Sequence, residues 1–65
     1  MKVRDAIKLV QADGWFLVGI KGSHRQFEHA AKPGKVTIPG PLNGDVPKGT
    51  LANIIRQAQL KEHKP

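Results

Sequence analysis

Val3, Ala6, Ile7 and Val10 recur at the i, i+3, i+4 and i+7 spacing of one helical face, widened by Leu9. Arg4, Lys8 and Gln11 fall off that face, and Asp5 suits the positive end of a helix dipole. Gly14 follows the last periodic residue as a C-terminal stop, so the spacing predicts a first helix over about residues 2–12. Trp15-Phe16-Leu17-Val18-Gly19-Ile20 is apolar at every position. Its β-branched and aromatic content predicts a strand, but alternation cannot set its phase. Lys21-Gly22-Ser23 is turn chemistry, and the strand that follows runs from about His24 to His29. Phe27 must face the core. A period of two then puts Arg25 and His29 on its side and His24, Gln26 and Glu28 on the other.

Pro33-Gly34 fits the centre of a type II turn. Val36-Thr37-Ile38 reads as a short third strand, closed by Pro39, which cannot donate to a ladder. Residues 39–49 hold three prolines and three glycines. So long an irregular stretch in a small chain is either a contact loop or a crossover past the sheet edge. Pro47 fits the start of a last helix over about residues 48–58, whose apolar face is Leu51, Ile54, Ile55 and Ala58. Gly49 weakens its first turn and leaves room for close backbone approach. Residues 61–65 are polar and read as a frayed tail.

The order is α-β-β-β-α. Short loops imply an antiparallel meander, and two one-sided helices are covered most economically by packing on one face of the three-stranded sheet. This is an α+β fold in the layout of double-stranded-RNA-binding domains, one domain over residues 1–65. Trp15 is expected to close the core over a helix end, with base stacking as the other use of such a ring.

Charge narrows the choice of partner. Eleven basic residues against five acidic give +6 and a pI near 10.2, which favours nucleic acid, then an acidic protein, then a membrane surface. Cysteine is absent, so neither disulfides nor thiolate metal sites are available, and the histidines and acids show no metal-ligand spacing. No apolar run has the length of a membrane helix or signal core, so a cytoplasmic location is expected.

His24 is then expected on the open face of the sheet, at a strand end, beside Gly22 and the cations Lys21 and Arg25. An imidazole, cations and approachable backbone in one place suit phosphodiester cleavage, although a lone surface histidine is also compatible with no role at all. Lys35 in the second turn and Lys48 at the start of the last helix extend the cationic track for RNA.

Gly14-Trp15-Phe16-Leu17-Val18, Lys21-Gly22-Ser23-His24, Phe27, Val36-Thr37-Ile38-Pro39, Lys48-Gly49-Thr50-Leu51 and Ile54-Ile55-Arg56-Gln57-Ala58 follow in an order that resembles the HicA, or YcfA-like, family of bacterial toxin–antitoxin toxins. The resemblance covers nearly the whole chain. It implies a small ribonuclease that cleaves mRNA and arrests translation, on a double-stranded-RNA-binding-like fold and without metal or organic cofactor. It implies that His24, in the Gly-Ser-His motif, is the catalytic residue. It also implies a HicB-like antitoxin that covers that histidine. Two positions depart from the family pattern. Arg25 stands where many relatives carry a second histidine, and Gln59 replaces a glycine near the end of the last helix. Two other readings share the charge and the sheet: a non-catalytic RNA-binding module, and an interaction protein whose basic face meets an acidic partner.

Overall fold

The computed structural model describes residues 1–60; the tail at 61–65, with His63, lies outside the described residues. Five elements follow in order: α1 (Val3–Ala12), β1 (Trp15–Lys21), β2 (His24–His29), β3 (Val36–Ile38) and α2 (Lys48–Gln57). The strands form one antiparallel sheet in the order β1-β2-β3, the meander expected from the short connections.

Register explains which side chains are covered. Leu17 lies opposite Phe27, and Phe27 opposite Val36, while Arg25 lies opposite both Ile20 and Ile38. Directly opposed residues share a face, so these side chains point to the helix side. Trp15, Phe27, Val36 and Ile38 are buried there against Val3, Ala6 and Val10 of α1 and Ile54 and Ala58 at α2, with Val46 of the last loop. Both helices therefore serve one face, and the other is open. The phase of β2 stands as read from Phe27. That of β1, apolar at every position, could not be read from alternation, and a bulge between Leu17 and Gly19 also inverts the alternation partway along the strand. Trp15 alone of β1 is buried. Its indole N–H donates to Asp13 Oδ2 and to the carbonyl of Ala58, both at 3.2 Å, so the ring closes the core and offers no face to a base.

The two sheet edges differ. The Thr37 N–H, on the outer edge of β3, donates to Oε1 of Gln57 in α2. Along β1, which pairs with β2 alone, Phe16, Leu17, Val18 and Ile20 are 45–61 % exposed.

The glycine-rich loop is structural on its inner side. Lys2 offers no side-chain cap to α1. The N–H groups of Val3 and Arg4 instead donate to the carbonyls of Gly44 and Leu42, at 2.9 and 3.1 Å. An isolated bridge joins Lys2 to Asp45, and their side chains pair at 3.1 Å. The loop thus caps the first helix with its own backbone, satisfying donors a helix start leaves unpaired.

Turn and cap chemistry follows the glycines, with one exception. Gly14 (φ +105°) ends α1 and Gly34 (φ +85°) takes the left-handed position of the Pro-Gly turn. At the end of α2 the Gln59 N–H bonds the Arg56 carbonyl and the Leu60 N–H bonds that of Ile55, a Schellman closure with Leu60 packed on the core. Its left-handed residue is Gln59, at φ +54°.

Candidate functional site

A two-residue turn joins β1 to β2, with Lys21 opposite His24. Gly22 takes φ +62° and Ser23 stays at negative φ, the pattern of a type II′ hairpin, where glycine relieves the strained first position. This turn is fastened from outside. The Gly40 N–H donates to the Ser23 carbonyl at 3.0 Å, and Arg25 Nη1 donates to the Gly40 carbonyl at 2.8 Å. Pro39-Gly40, just past β3, therefore clamps the hairpin tip by two bonds.

His24 stands on the open face at the start of β2 and is exposed, as is Lys21 across from it. Among the described residues neither side chain has a hydrogen-bond or ion-pair partner, so both are free to meet a ligand. Gly22 and Ser23 are exposed beside them. The structure thus brings together Lys21, Gly22, Ser23 and His24. Arg25 neighbours them in sequence but faces the helix side, half-buried, with its guanidinium on Gly40. Lys35 stands at the far end of the sheet, its ammonium 3.8 Å from the Glu28 carboxylate. Lys48 opens α2, in the helix layer.

His29 is held in the fold. Its Nε2 lies 2.6 Å from the Asp13 carbonyl, and its Nδ1 accepts the N–H groups of Ala31 and Lys32. An accepting Nδ1 assigns the proton to Nε2, which donates to Asp13. The ring also meets Trp15 edge-on at 5.2 Å. A Cβ on Gly14 would sit 2.8 Å from this Nε2, so that position needs glycine for space as well as for φ. The neighbouring Lys32 ammonium, 2.6 Å from Asp13 Oδ2, holds the Asp13 carboxyl below its usual range against the opposing effect of burial. Among the described residues no three His, Cys, Asp or Glu side chains gather as metal ligands would.

The Arg25–Gly40–Ser23 clamp was not legible in the sequence. Two of its three members act through backbone atoms, which leave no residue-type signal, and the only hint was glycine after Pro39. The Asp13–His29–Lys32 cluster joins residues up to 19 apart and follows no periodicity.

A family model described as the HicA toxin of bacterial toxin–antitoxin matches residues 3–60. The span runs from the first residue of α1 to the closure of α2 and includes the whole hairpin site. No curated protein matches the chain.

Proposed function

Because the chain belongs to the HicA toxin family of bacterial toxin–antitoxin systems, we propose that it is a metal-independent endoribonuclease that cleaves mRNA in the cytoplasm, with His24 as its catalytic residue. The observation that carries this reading is an exposed imidazole directly across a hairpin from an exposed ammonium, neither with a partner among the described residues. RNA supplies its own nucleophile. The His24 imidazole removes the 2′-hydroxyl proton, the 2′-oxygen bonds to the adjacent phosphorus, and the bond from phosphorus to the 5′-oxygen breaks. The leaving oxygen takes a proton from water or a lysine, giving a 2′,3′-cyclic phosphate and a 5′-hydroxyl. Positioned proton transfer of this kind contributes typically ~10²–10⁴-fold. Lys21 stabilises the charge that builds on the phosphoryl oxygens, with the N–H groups of Gly22 and Ser23 as further donors. Arg25 adds positive charge behind the turn while fastening it, and Lys35 and Lys48 lengthen the cationic track for RNA.

Within the same reading a HicB-like antitoxin covers the site. Leu17, Val18 and Ile20 support it, since they leave an apolar strip along the unpaired edge of β1. The chain's +6 charge disfavours a second copy there and favours an acidic partner.

One observation favours the non-catalytic alternative: among the described residues no second imidazole stands by His24, since Arg25 occupies the next position and His29 is engaged on the opposite face. Induced expression decides between them. The wild type without its partner should stop growth and fragment mRNA, and His24→Ala should be harmless at equal soluble abundance. Normal growth with intact transcripts in the wild type removes the nuclease reading.

A further inference from the structure

The open face of the sheet carries more than His24. The chain has three aromatic residues; Trp15 and Phe27 are 2 % and 1 % exposed, and Phe16 is 49 % exposed. Phe16 lies opposite Glu28, next to the inward Trp15, so its ring stands on the same face as Lys21 and His24. From His24 to Glu28 is four steps along β2, or about 13 Å. Between the two ends lie Gln26 and, opposite it, Gly19. A Cβ on Gly19 would meet nothing within 4 Å, so the strip between imidazole and ring is low and open. Among the described residues no cleft or cavity is found, so a ligand of this face lies on a surface.

We infer that this face binds single-stranded RNA, with Phe16 as a platform on which a base stacks at one end and His24 with Lys21 at the scissile phosphate at the other. The inference rests on the nuclease reading above and adds to it the form of the substrate and the residue that selects it. Within a duplex, bases are covered by their neighbours; a protein ring gains a base face only where the strand is unpaired and the base can turn out. A flat surface with one exposed ring, a low glycine strip and an amide from Gln26 meets that requirement. Shape recognition of a duplex would not use Phe16. Charge sets the direction of the strand's contacts. Lys21 attracts phosphate at the hairpin end. Glu28, beside Phe16, repels phosphate there and accepts hydrogen bonds from base amino groups, with Lys35 3.8 Å away holding its charge in check. The ring end is therefore a base site and the hairpin end a phosphate site.

The test uses full-length protein carrying His24→Ala, which prevents cleavage during binding. Fluorescence anisotropy follows a short labelled oligoribonucleotide of mixed sequence, alone and annealed as a blunt duplex. The single strand should bind more tightly than the duplex. Adding Phe16→Ala should weaken single-strand binding about 5- to 150-fold, the range of a lost base stack, and leave duplex binding within about twofold. Phe16→Trp should retain binding. Phe16→Leu keeps apolar bulk without an aromatic face and should weaken binding as alanine does, which covers the case in which the alanine variant folds poorly. Equal affinity for strand and duplex overturns the inference, as does wild-type affinity in Phe16→Leu. So does a Phe16 variant that loses antitoxin but not RNA, since the ring then belongs to the protein interface. His24-dependent cleavage that persists unchanged in Phe16→Leu overturns this inference alone. Absence of any RNA binding removes the nuclease reading with it.

Discussion

Arg25→Ala should destabilise the protein far more than a surface arginine normally does. Its guanidinium donates to the Gly40 carbonyl at 2.8 Å in a half-buried setting. A hydrogen bond to a charged group is worth about 1.5–3 kcal/mol, and partial exposure argues for the lower end, since water replaces the lost donor in part. The aliphatic stem lies between Ile20 and Ile38 across the sheet, and losing such cross-strand contacts adds about 0.5 kcal/mol. The sum is about 2 kcal/mol. A domain of this size shifts by about 4–8 °C per kcal/mol, so the melting midpoint should fall by about 8–16 °C. Arg25→Lys, which keeps charge and stem but not the planar fork, should lose about half as much. The measurement is a thermal melt by circular dichroism, repeated in urea to verify a two-state transition. The turn should also loosen, because of the two clamp bonds the Gly40 N–H to Ser23 bond alone would remain; amide exchange at Gly40 and His24 reads that directly. Melting within about 2 °C of wild type would refute the clamp.

Other expectations follow from single observations. Phe27→Ala empties the centre of the core and should cost about 3–5 kcal/mol, most of the ~3–10 kcal/mol available to a chain of this length, so its toxicity should be lost through unfolding seen by circular dichroism. His24→Ala, at an exposed position without a partner among the described residues, should melt within about ±0.5 kcal/mol of wild type while cleavage falls by ~10²-fold or more in a gel assay. Because the folded-state pKa of Asp13 lies below its unfolded value, its contribution is present above about pH 4 and is lost as pH falls through the folded value. Melting midpoints of Asp13→Asn should accordingly change less than those of wild type between pH 5 and 2. Lys21→Ala should lower the salt slope of RNA binding by about 0.7–0.9, the value of one phosphate contact, and an unchanged slope would take Lys21 off the RNA track.

The helices, the meander and the phase of β2 were legible because each rests on a repeated side-chain property. Val3, Ala6 and Val10 mark a face, and Phe27 fixes a strand because it is the one apolar residue among the polar neighbours of β2. Legibility failed where the backbone does the work. The bulge in β1 has no residue signature beyond Gly19, and an apolar run whose phase alternation could not set leaves Phe16, Leu17, Val18 and Ile20 exposed. The loop after β3 looked equally suited to ligand contact and to crossover; its carbonyls cap α1 and its Gly40 clamps the hairpin, neither of which side-chain identity records. The room read into Gly49 is real, since a Cβ there meets nothing within 4 Å, but among the described residues no neighbouring backbone uses it.

Gln59 shows how a departure from a family pattern is read through geometry. The position is left-handed, φ +54°, where glycine is free of strain and other L-residues lose about 1–2 kcal/mol. The side chain offsets part of that: its Nε2 donates to the Pro33 carbonyl at 3.0 Å, tying the end of α2 to the second turn, and this exposed bond is worth about 0.5–1 kcal/mol. Glycine would relieve the strain, lose the bond and add about 0.5–1 kcal/mol of unfolded-chain entropy cost. The contributions nearly cancel, so Gln59→Gly should melt close to wild type. Alanine loses the bond and keeps the strain. Gln59→Ala should therefore lie below both, by about 0.5–1 kcal/mol, in the same thermal melt. An alanine variant as stable as wild type would mean that the Pro33 bond contributes nothing and that the helix closure rests on Leu60 alone.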